Sequence, residues 1–385
     1  MKVQQAPQLP GQPQRWKSEQ LNLGPAFRSL LAALPLVVLM LFVAGCSTTP
    51  AKTDTGPKYN FFPPPPDAPR LQFLTAFDSD KDLRRGSSDG FVSFLTGKPT
   101  KILPILKPYG GFAGRGKIYV CDTGDSLVLQ MDLATRKTKV ISPSGPAAFK
   151  LPLNMDVDDN GWLYIADGVR DQVVIVDSNE NLVATIGEKG AMKPRDVVVS
   201  KDRIYVSDLQ NHCVHVFDKA ARTLLFDIPS ASEATKPEAK LFQPINIALD
   251  TAGRLYVSDF GAYRVQVFDA NGKYLRTIGK YGDNFGEFAR NKGVAVDRAN
   301  RVYVVDAAGQ LVQIFDDAGR LLMWFGEPNA SQVGLNLPAK VLLDYNDVGF
   351  FQSYAAPDFQ VEHLVIVMNQ YGNRKVSVFG FGHKK

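Results

Sequence analysis

The sequence predicts an all-β chain folded as a six-bladed β-propeller of four-stranded antiparallel blades. Three observations predict it. Runs rich in Val, Ile, Leu, Tyr and Phe, which strands favour, alternate with turns rich in Gly, Asp and Asn. Four such runs, residues 245–249, 254–257, 264–268 and 274–278, follow one another with only short turns between them, so they read as a meander. The second run of that meander then recurs along the chain, each time closed by an acid, at intervals of about 40–50 residues. One meander cannot bury both of its faces, and repetition at that period is what a propeller blade requires.

The recurring strand appears as Ile118-Tyr119-Val120-Cys121-Asp122, Leu163-Tyr164-Ile165-Ala166-Asp167 and Ile204-Tyr205-Val206-Ser207-Asp208. It returns as Leu255-Tyr256-Val257-Ser258-Asp259 and Val302-Tyr303-Val304-Val305-Asp306, with a weaker sixth copy ending Val367-Met368-Asn369. Third strands recur at 173–176, 214–217, 265–268, 312–315 and 376–379. Inner strands are placed near 110–113, 154–157, 196–199, 246–249, 293–296 and 340–343. The sixth blade has an inner, a second and a third strand but too little chain for a fourth. The isolated apolar run at 70–77 resembles the fourth strands at 274–278 and 321–325, so it is assigned to close the ring from the other end. Closure protects sheet edges.

The Gly-Arg-Leu-Tyr-Val-Ser-Asp run at 253–259, the Arg-Val-Gln-Val-Phe-Asp run at 264–269 and the Gly-Glu-Phe…Gly-Val-Ala-Val-Asp stretch at 286–297 resemble the NHL repeat family. The resemblance covers about residues 69–380 and implies a six-bladed propeller used for protein recognition. It specifies the fold well and chemistry poorly, because its residues build turns and strand packing.

Composition sets outer bounds. Of 385 residues, 45% are hydrophobic and 22% charged, a globular composition. The net charge of +5 resides mostly in the N-terminal segment: Lys2, Arg15, Lys17 and Arg28 precede Cys46 against the single acid Glu19. Beyond Cys46 the chain is close to neutral, which argues against nucleic-acid binding.

Residues 1–45 read as an export signal, with a basic n-region and an apolar stretch at 29–44, short for a spanning helix of about 20 residues. Its end, Val43-Ala44-Gly45-Cys46, resembles a bacterial lipobox, which implies acylation of Cys46 and cleavage before it. Several acyl chains give stable anchoring where one does not. Ser47, in place of an Asp, points to the outer membrane of the cell envelope. Residues 46–68 read as a lipidated, Pro-rich tether, and 69–385 as the propeller. Within the connector at 78–107, residues 91–95 read as a short plug.

Two candidate surfaces follow. Aligned inner strands bring Gly110, Asn154, Asp196, Asn246, Gly293 and Lys340 into one channel layer, with Asp156 two residues further along. The candidate ligand set is Asn154, Asp156, Asp196, Asn246 and Lys340. A carboxylate with carboxamides suits a hard cation such as Ca²⁺, and six-bladed lactonases use acid and amide ligands in such a mouth. Against it, Lys340 can pair with Asp196 or Asp156, and no cofactor is predicted. The second surface is an aromatic insertion at 344–362 with Phe350, Phe351, Tyr354 and Phe359. It reads either as a plug folded onto its own domain, the favoured alternative, or as a docking surface, since aromatics anchor interfaces.

The recurring acids Asp122, Asp167, Asp208, Asp259 and Asp306 read as turn-builders, because an Asp after a strand accepts backbone N–H bonds. His212, Cys213 and His215 lie on one strand and its turn and lack a second ligand pair, so zinc is discounted. NHL-fold amidating lyases use channel histidines, and no inner strand here carries one. The functional expectation is a membrane-anchored lipoprotein whose propeller is a non-catalytic scaffold for a protein partner. The alternative is a metal-dependent hydrolase or lactonase at the channel mouth.

Overall fold

Each blade builds outward from an inner strand that begins at a Pro or Asn and runs down the channel wall. A computed structural model of the chain describes residues 59–84, 102–328 and 333–385, all within one unit spanning Lys58–Lys385. The expected signal segment, Cys46, most of the tether and the plug at 91–95 lie outside the described residues.

In chain order, β1 (Phe61–Phe62) and β2 (Leu71–Phe77) precede the first blade. That blade is β3 (Pro108–Gly114), β4 (Lys117–Asp122), β5 (Leu127–Asp132) and β6 (Lys137–Ile141). The second is β7 (Pro152–Val157), β8 (Leu163–Asp167), β9 (Gln172–Val176) and β10 (Leu182–Ile186). The third is β11 (Pro194–Val199), β12 (Arg203–Asp208), β13 (Cys213–Asp218) and β14 (Leu224–Ile228). The fourth is β15 (Pro244–Leu249), β16 (Leu255–Asp259), β17 (Arg264–Phe268) and β18 (Tyr274–Ile278). The fifth is β19 (Asn291–Val296), β20 (Val302–Asp306), β21 (Leu311–Phe315) and β22 (Leu321–Phe325). The sixth holds β23 (Pro338–Asp344), β24 (Phe359–Asn369) and β25 (Val376–Lys384), beside which β2 and then β1 complete a five-stranded sheet. All these pairings are antiparallel.

Burial explains the sequence pattern. Second strands lie within a sheet covered on both faces, and β8, β16 and β20 are buried throughout. Fourth strands face water on one side, so β18 and β22 alternate in exposure. Neighbouring blades share their apolar faces. Tyr164, Val173 and Ile175 of the second blade pack on Val197, Ile204 and Val206 of the third. Tyr256, Val265 and Val267 of the fourth pack on Val294, Val302 and Phe315 of the fifth. Six such seams, one per pair of neighbouring blades, make the core a ring.

The recurring acids fasten the blades together. Asp122 accepts the amides of Leu106 and Lys107 at 2.6 and 2.9 Å; Asp167 accepts those of Lys150 and Leu151; Asp259 those of Phe242 and Gln243; Asp306 those of Ala289 and Arg290. Asp208 accepts Lys193 N–H, and Asn369 holds Asn336 N–H in the sixth blade. Each latches the loop that enters its own inner strand. A second set of acids was not singled out from the sequence. Asp158, Asp250 and Asp297, just past inner strands, accept the buried hydroxyls of Tyr164, Tyr256 and Tyr303 at 3.2–3.3 Å.

Two boundaries are corrected. The propeller does not begin at residue 69: β1 pairs with β2, and Phe62 is buried against Phe325 and Phe379. The second strand of the last blade begins at Phe359, inside the stretch read as the 344–362 insertion, because the Phe-Gln-Val-Glu alternation continues the strand. The insertion folds inward, the favoured of its two alternatives. Phe351 and Phe359 are fully buried in the seam between the sixth and first blades, with Phe350 and Tyr354 packed partly buried against it. Asp347 in the same loop accepts Gly116 N–H from the first blade, and Gln72 on β2 accepts Ala356 N–H. The four aromatics are therefore seam residues, as the plug alternative has it, and Phe351 and Phe359 are unavailable for docking.

Candidate functional site

The six inner strands β3, β7, β11, β15, β19 and β23 are neighbours in that cyclic order and line the channel. Each bulges just after its first residue; the register shifts between Pro108 and Gly110, Pro194 and Asp196, and Pro338 and Lys340. A bulge re-aims side chains, and here it turns the following residues toward the axis.

The aligned layer forms as expected. Blades three and six face each other across a ring of six, and Lys340 Nζ reaches Asp196 Oδ2 at 2.5 Å. The pair is deeply buried, with side chains 6% and 0% exposed. The Asp196 carboxylate also accepts the amides of Val197 at 2.9 Å and Ile247 at 3.1 Å. Burial pushes its pKa up, and Lys340 opposes that. Flanking it, Asn154 Nδ2 donates to Arg195 O at 3.1 Å and to Asn246 Oδ1 at 3.4 Å. Asn154 Oδ1 and Asn246 Nδ2 are buried without a hydrogen-bond partner.

The two glycines of the layer are required by close approach. A Cβ on Gly110 lands 1.7 Å from Asn154 Oδ1, and one on Gly293 lands 2.8 Å from the Lys340 Cα. Asp156 stands apart from the pair. Its oxygens accept the amides of Val157 and Val199 at 2.8 and 2.7 Å, and burial pushes its pKa up to about 6. The structure thus brings Asn154, Asp196, Asn246 and Lys340 together and leaves Asp156 in the wall. Of the two partners open to Lys340, Asp196 is the one it takes.

On the third blade, Cys213, His215 and Asp227 offer ligand atoms within 4.8 Å of one another. Both imidazole nitrogens of His215 already face carboxylates, Nε2 to Asp208 at 3.0 Å and Nδ1 to Asp227 at 2.7 Å. Burial opposes its charge, but those partners and Cys213 raise its pKa to about 11. A protonated imidazolium bridging two acids has no lone pair for a metal. His212 lies in the turn with φ 58° and stacks on Phe242. Cys121 and Cys213 are buried free thiols.

The sequence reading missed Tyr109, Arg195 and Lys292, each one residue before the channel layer, on the inner strands of the first, third and fifth blades. The equivalent residues of the even blades are Leu153, Ile245 and Ala339. The alternation of polar and apolar residues at one register position was the available signal.

Residues 192–217 match the family model described as the NHL repeat, and residues 234–320 match a family described as a 6-bladed beta-propeller. A Caenorhabditis elegans protein named "Probable peptidyl-alpha-hydroxyglycine alpha-amidating lyase" is 30% identical over 150 residues. The match takes in 36% of this chain and 42% of that protein, so this chain spans under half the length of that relative. Among solved structures, a Xanthomonas campestris gluconolactonase superposes with a TM-score of 0.51 at 14% identity, over 72% of this chain and 87% of that one. A Bacteroides thetaiotaomicron protein of unknown function superposes at 0.53, also at 14% identity, over 72% and 70%. At that identity the superpositions speak to fold. The repeat match, the family match and the six closed seams agree: this chain is a six-bladed β-propeller that carries an NHL repeat at residues 192–217.

Proposed function

We propose that this protein is a lipid-anchored scaffold that docks a protein partner on one face of a propeller with no chemistry of its own. The observation that carries the reading is the buried Lys340–Asp196 pair. The Lys340 ammonium takes the position at the channel centre that a hard cation would need, and it engages the one carboxylate of the layer. Ca²⁺ takes six to eight oxygens, and the layer has only the Asn154 Oδ1 carbonyl left without a partner. The hydrolase alternative needs that centre open.

The docking face is the one where inner strands begin. Antiparallel order puts the loops entering each blade and those between second and third strands on that face. They carry the exposed rings of Phe242, Tyr281, Phe285 and Tyr371, with Tyr281 69% exposed. Exposed aromatics clustered on one face suit a partner interface. Acylation of Cys46 would hold the chain to the bilayer, on the outer membrane by the Ser47 reading.

Two experiments test this. Photo-cross-linkers placed at Phe242, Tyr281 and Tyr371 in the native envelope should capture one protein that linkers at Ala221 and Ala299, on the opposite face, do not. Equal labelling from both faces refutes the docking reading. Metal analysis of chelator-free protein separates the alternative: near-stoichiometric Ca²⁺ lost in Asp196→Ala would favour the hydrolase reading, which lactone and ester turnover would then have to show. For the anchor, Cys46→Ala should release the chain from membranes and abolish its acyl labelling; persistence of either overturns it.

A further inference from the structure

Just above the Lys340–Asp196 layer, the mouth of the channel gathers basic side chains that form no ion pair among the described residues. Lys292 is only 7% exposed. It forms no hydrogen bond or ion pair among the described residues. Its one marked contact is with an aromatic ring: Nζ lies 5.3 Å from the centroid of Tyr109. Lys107 and Arg290 stand near enough to add repulsion to burial, and together they hold the Lys292 pKa down to about 8.

The same neighbourhood includes Arg195, whose Nε is buried without a hydrogen-bond partner. Arg195 and Arg290 both act electrostatically on the Tyr109 hydroxyl. Lys107 lies over the Tyr371 ring, 5.6 Å from its centroid, and has no carboxylate partner among the described residues. The nearest acid of the layer below, Asp196, is already bound to Lys340.

A buried ammonium without a counter-ion is costly, and proteins ordinarily pair or discharge such groups. Four neighbouring cations, none of them in an ion pair among the described residues, compound the cost, since like charges repel. Other basic residues of this chain show the ordinary solution. Lys193 pairs with Asp171, Arg254 with Asp250, and Arg301 with Asp297. The mouth departs from that pattern at equivalent positions on alternate blades. Its opening is not sealed: Arg290 is exposed, and Tyr109, Arg195 and Lys107 are half-buried.

We propose that this mouth is a binding site for an oxyanion, a carboxylate or phosphate group. The group sits between Lys292, Arg195 and the Tyr109 hydroxyl, with Arg290 and Lys107 at the rim. Lys292 supplies a point charge, Arg195 a planar donor fork suited to two oxygens, and Tyr109 a neutral donor. The anion completes the charge balance that the fold leaves open. The site goes beyond the docking reading and does not depend on it, since a small free anion satisfies it.

The test is calorimetric titration of the full chain with citrate and, separately, inorganic phosphate at constant ionic strength. Saturable one-to-one binding of either is expected, and which one binds tighter identifies the group. Lys292→Met and Arg195→Gln should each weaken it by about tenfold or more, the usual effect of losing one charge-assisted bond. Lys201→Met, which removes the same charge from an exposed loop on the opposite face, should leave the affinity unchanged. A second readout separates ligand binding from structure. Without ligand, Lys292→Met should melt at or above the parent temperature, and added citrate should raise the parent's melting temperature but not the variant's. No saturable binding of either anion overturns the proposal. So does equal weakening in Lys201→Met, or a Lys292→Met variant that melts well below the parent.

Discussion

The Lys340–Asp196 pair can be broken from either side, and the two breaks should carry opposite pH signatures. Lys340→Met leaves Asp196 fully buried with two backbone amides and no counter-charge. Removing one partner of a buried pair costs about 3–5 kcal/mol. For a domain of this size that is a fall in Tm of about 10 °C. Burial already raises the Asp196 pKa, and loss of Lys340 removes its main opposing influence. A carboxyl whose folded pKa exceeds its unfolded value contributes stability that is fully present below the unfolded pKa and is lost as pH rises through the folded one. Lys340→Met should therefore lose least at pH 4–5 and most at pH 8. Asp196→Asn strands the ammonium instead, and shedding that proton becomes easier as pH rises, so its deficit should shrink toward pH 9. Lys340→Met/Asp196→Asn removes both charges and should recover most of either loss, as apolar or neutral replacements of buried pairs often do. Urea and thermal melts of the four proteins across pH 4–9 make the assay. Additive losses in the double variant, or parallel pH slopes in the two singles, would refute a direct pair at the channel centre.

Other predictions concern the seams and the buried titratable groups. Phe351→Ala, at a fully buried position, should cost about 3–5 kcal/mol, whereas Tyr371→Ala, at an exposed one, should leave urea unfolding within about 0.5 kcal/mol of the parent. Truncation up to residue 58 should leave the melt unchanged; truncation through Phe62 should cost about 1.5–3 kcal/mol for the lost side chain; truncation through Phe77 should abolish cooperative unfolding, and equal melts for all three would sink the closure argument. His363, buried against Tyr345 and Phe381, has its pKa held down to about 4, so its contribution is lost as pH falls from about 6.5 through 4. Asp156, pushed up to about 6, acts oppositely, its contribution present below about 4 and lost as pH rises through 6. His363→Gln should therefore make stability between pH 4 and 6.5 fall more steeply with rising pH, and Asp156→Asn should make it rise more steeply; unchanged slopes in both would refute these assignments.

The repeat was legible because its signals are local. Strand alternation, the Tyr-x-x-Asp ending and the turn glycines each depend on residues within one blade, so five copies align and the sixth, ending in Asn369, follows in weaker form. The channel layer was legible for the same reason: register counted from each strand's start places Asn154, Asp196, Asn246 and Lys340 at one height. What register cannot supply is which of two acids a long lysine reaches. That depends on height along the channel: Asp196 stands in the layer that Lys340 occupies, whereas Asp156, two residues further along its strand, is taken up by the amides of Val157 and, on the next blade, Val199. The insertion was legible only in part. Aromatic content says that a loop will not remain in water, but the seam between the sixth and first blades is invisible until the ring is closed. Phe61 and Phe62 were hidden by composition, since four prolines beside them look like a spacer while the phenylalanines themselves add a strand.

Two lysines one layer apart show why burial alone does not reveal purpose. Lys340 is 5% exposed and Lys292 is 7% exposed, and both come from the bulged starts of inner strands. Lys340 crosses the channel to a carboxylate; Lys292 meets an aromatic ring and two further cations. The same substitution should thus have opposite effects. Lys340→Met orphans an acid and lowers stability, whereas Lys292→Met relieves repulsion and does not. The chain beyond Cys46 is near neutral, so the charge at the mouth is not the overflow of a basic surface. At one height Arg195 and Lys292 place it on alternate blades, with the Tyr109 hydroxyl on the remaining alternate blade, where Leu153, Ile245 and Ala339 show that an apolar residue fits equally well. A position that tolerates an apolar side chain but holds an unpaired cation costs stability in the isolated protein. That cost is offset only when something negative arrives.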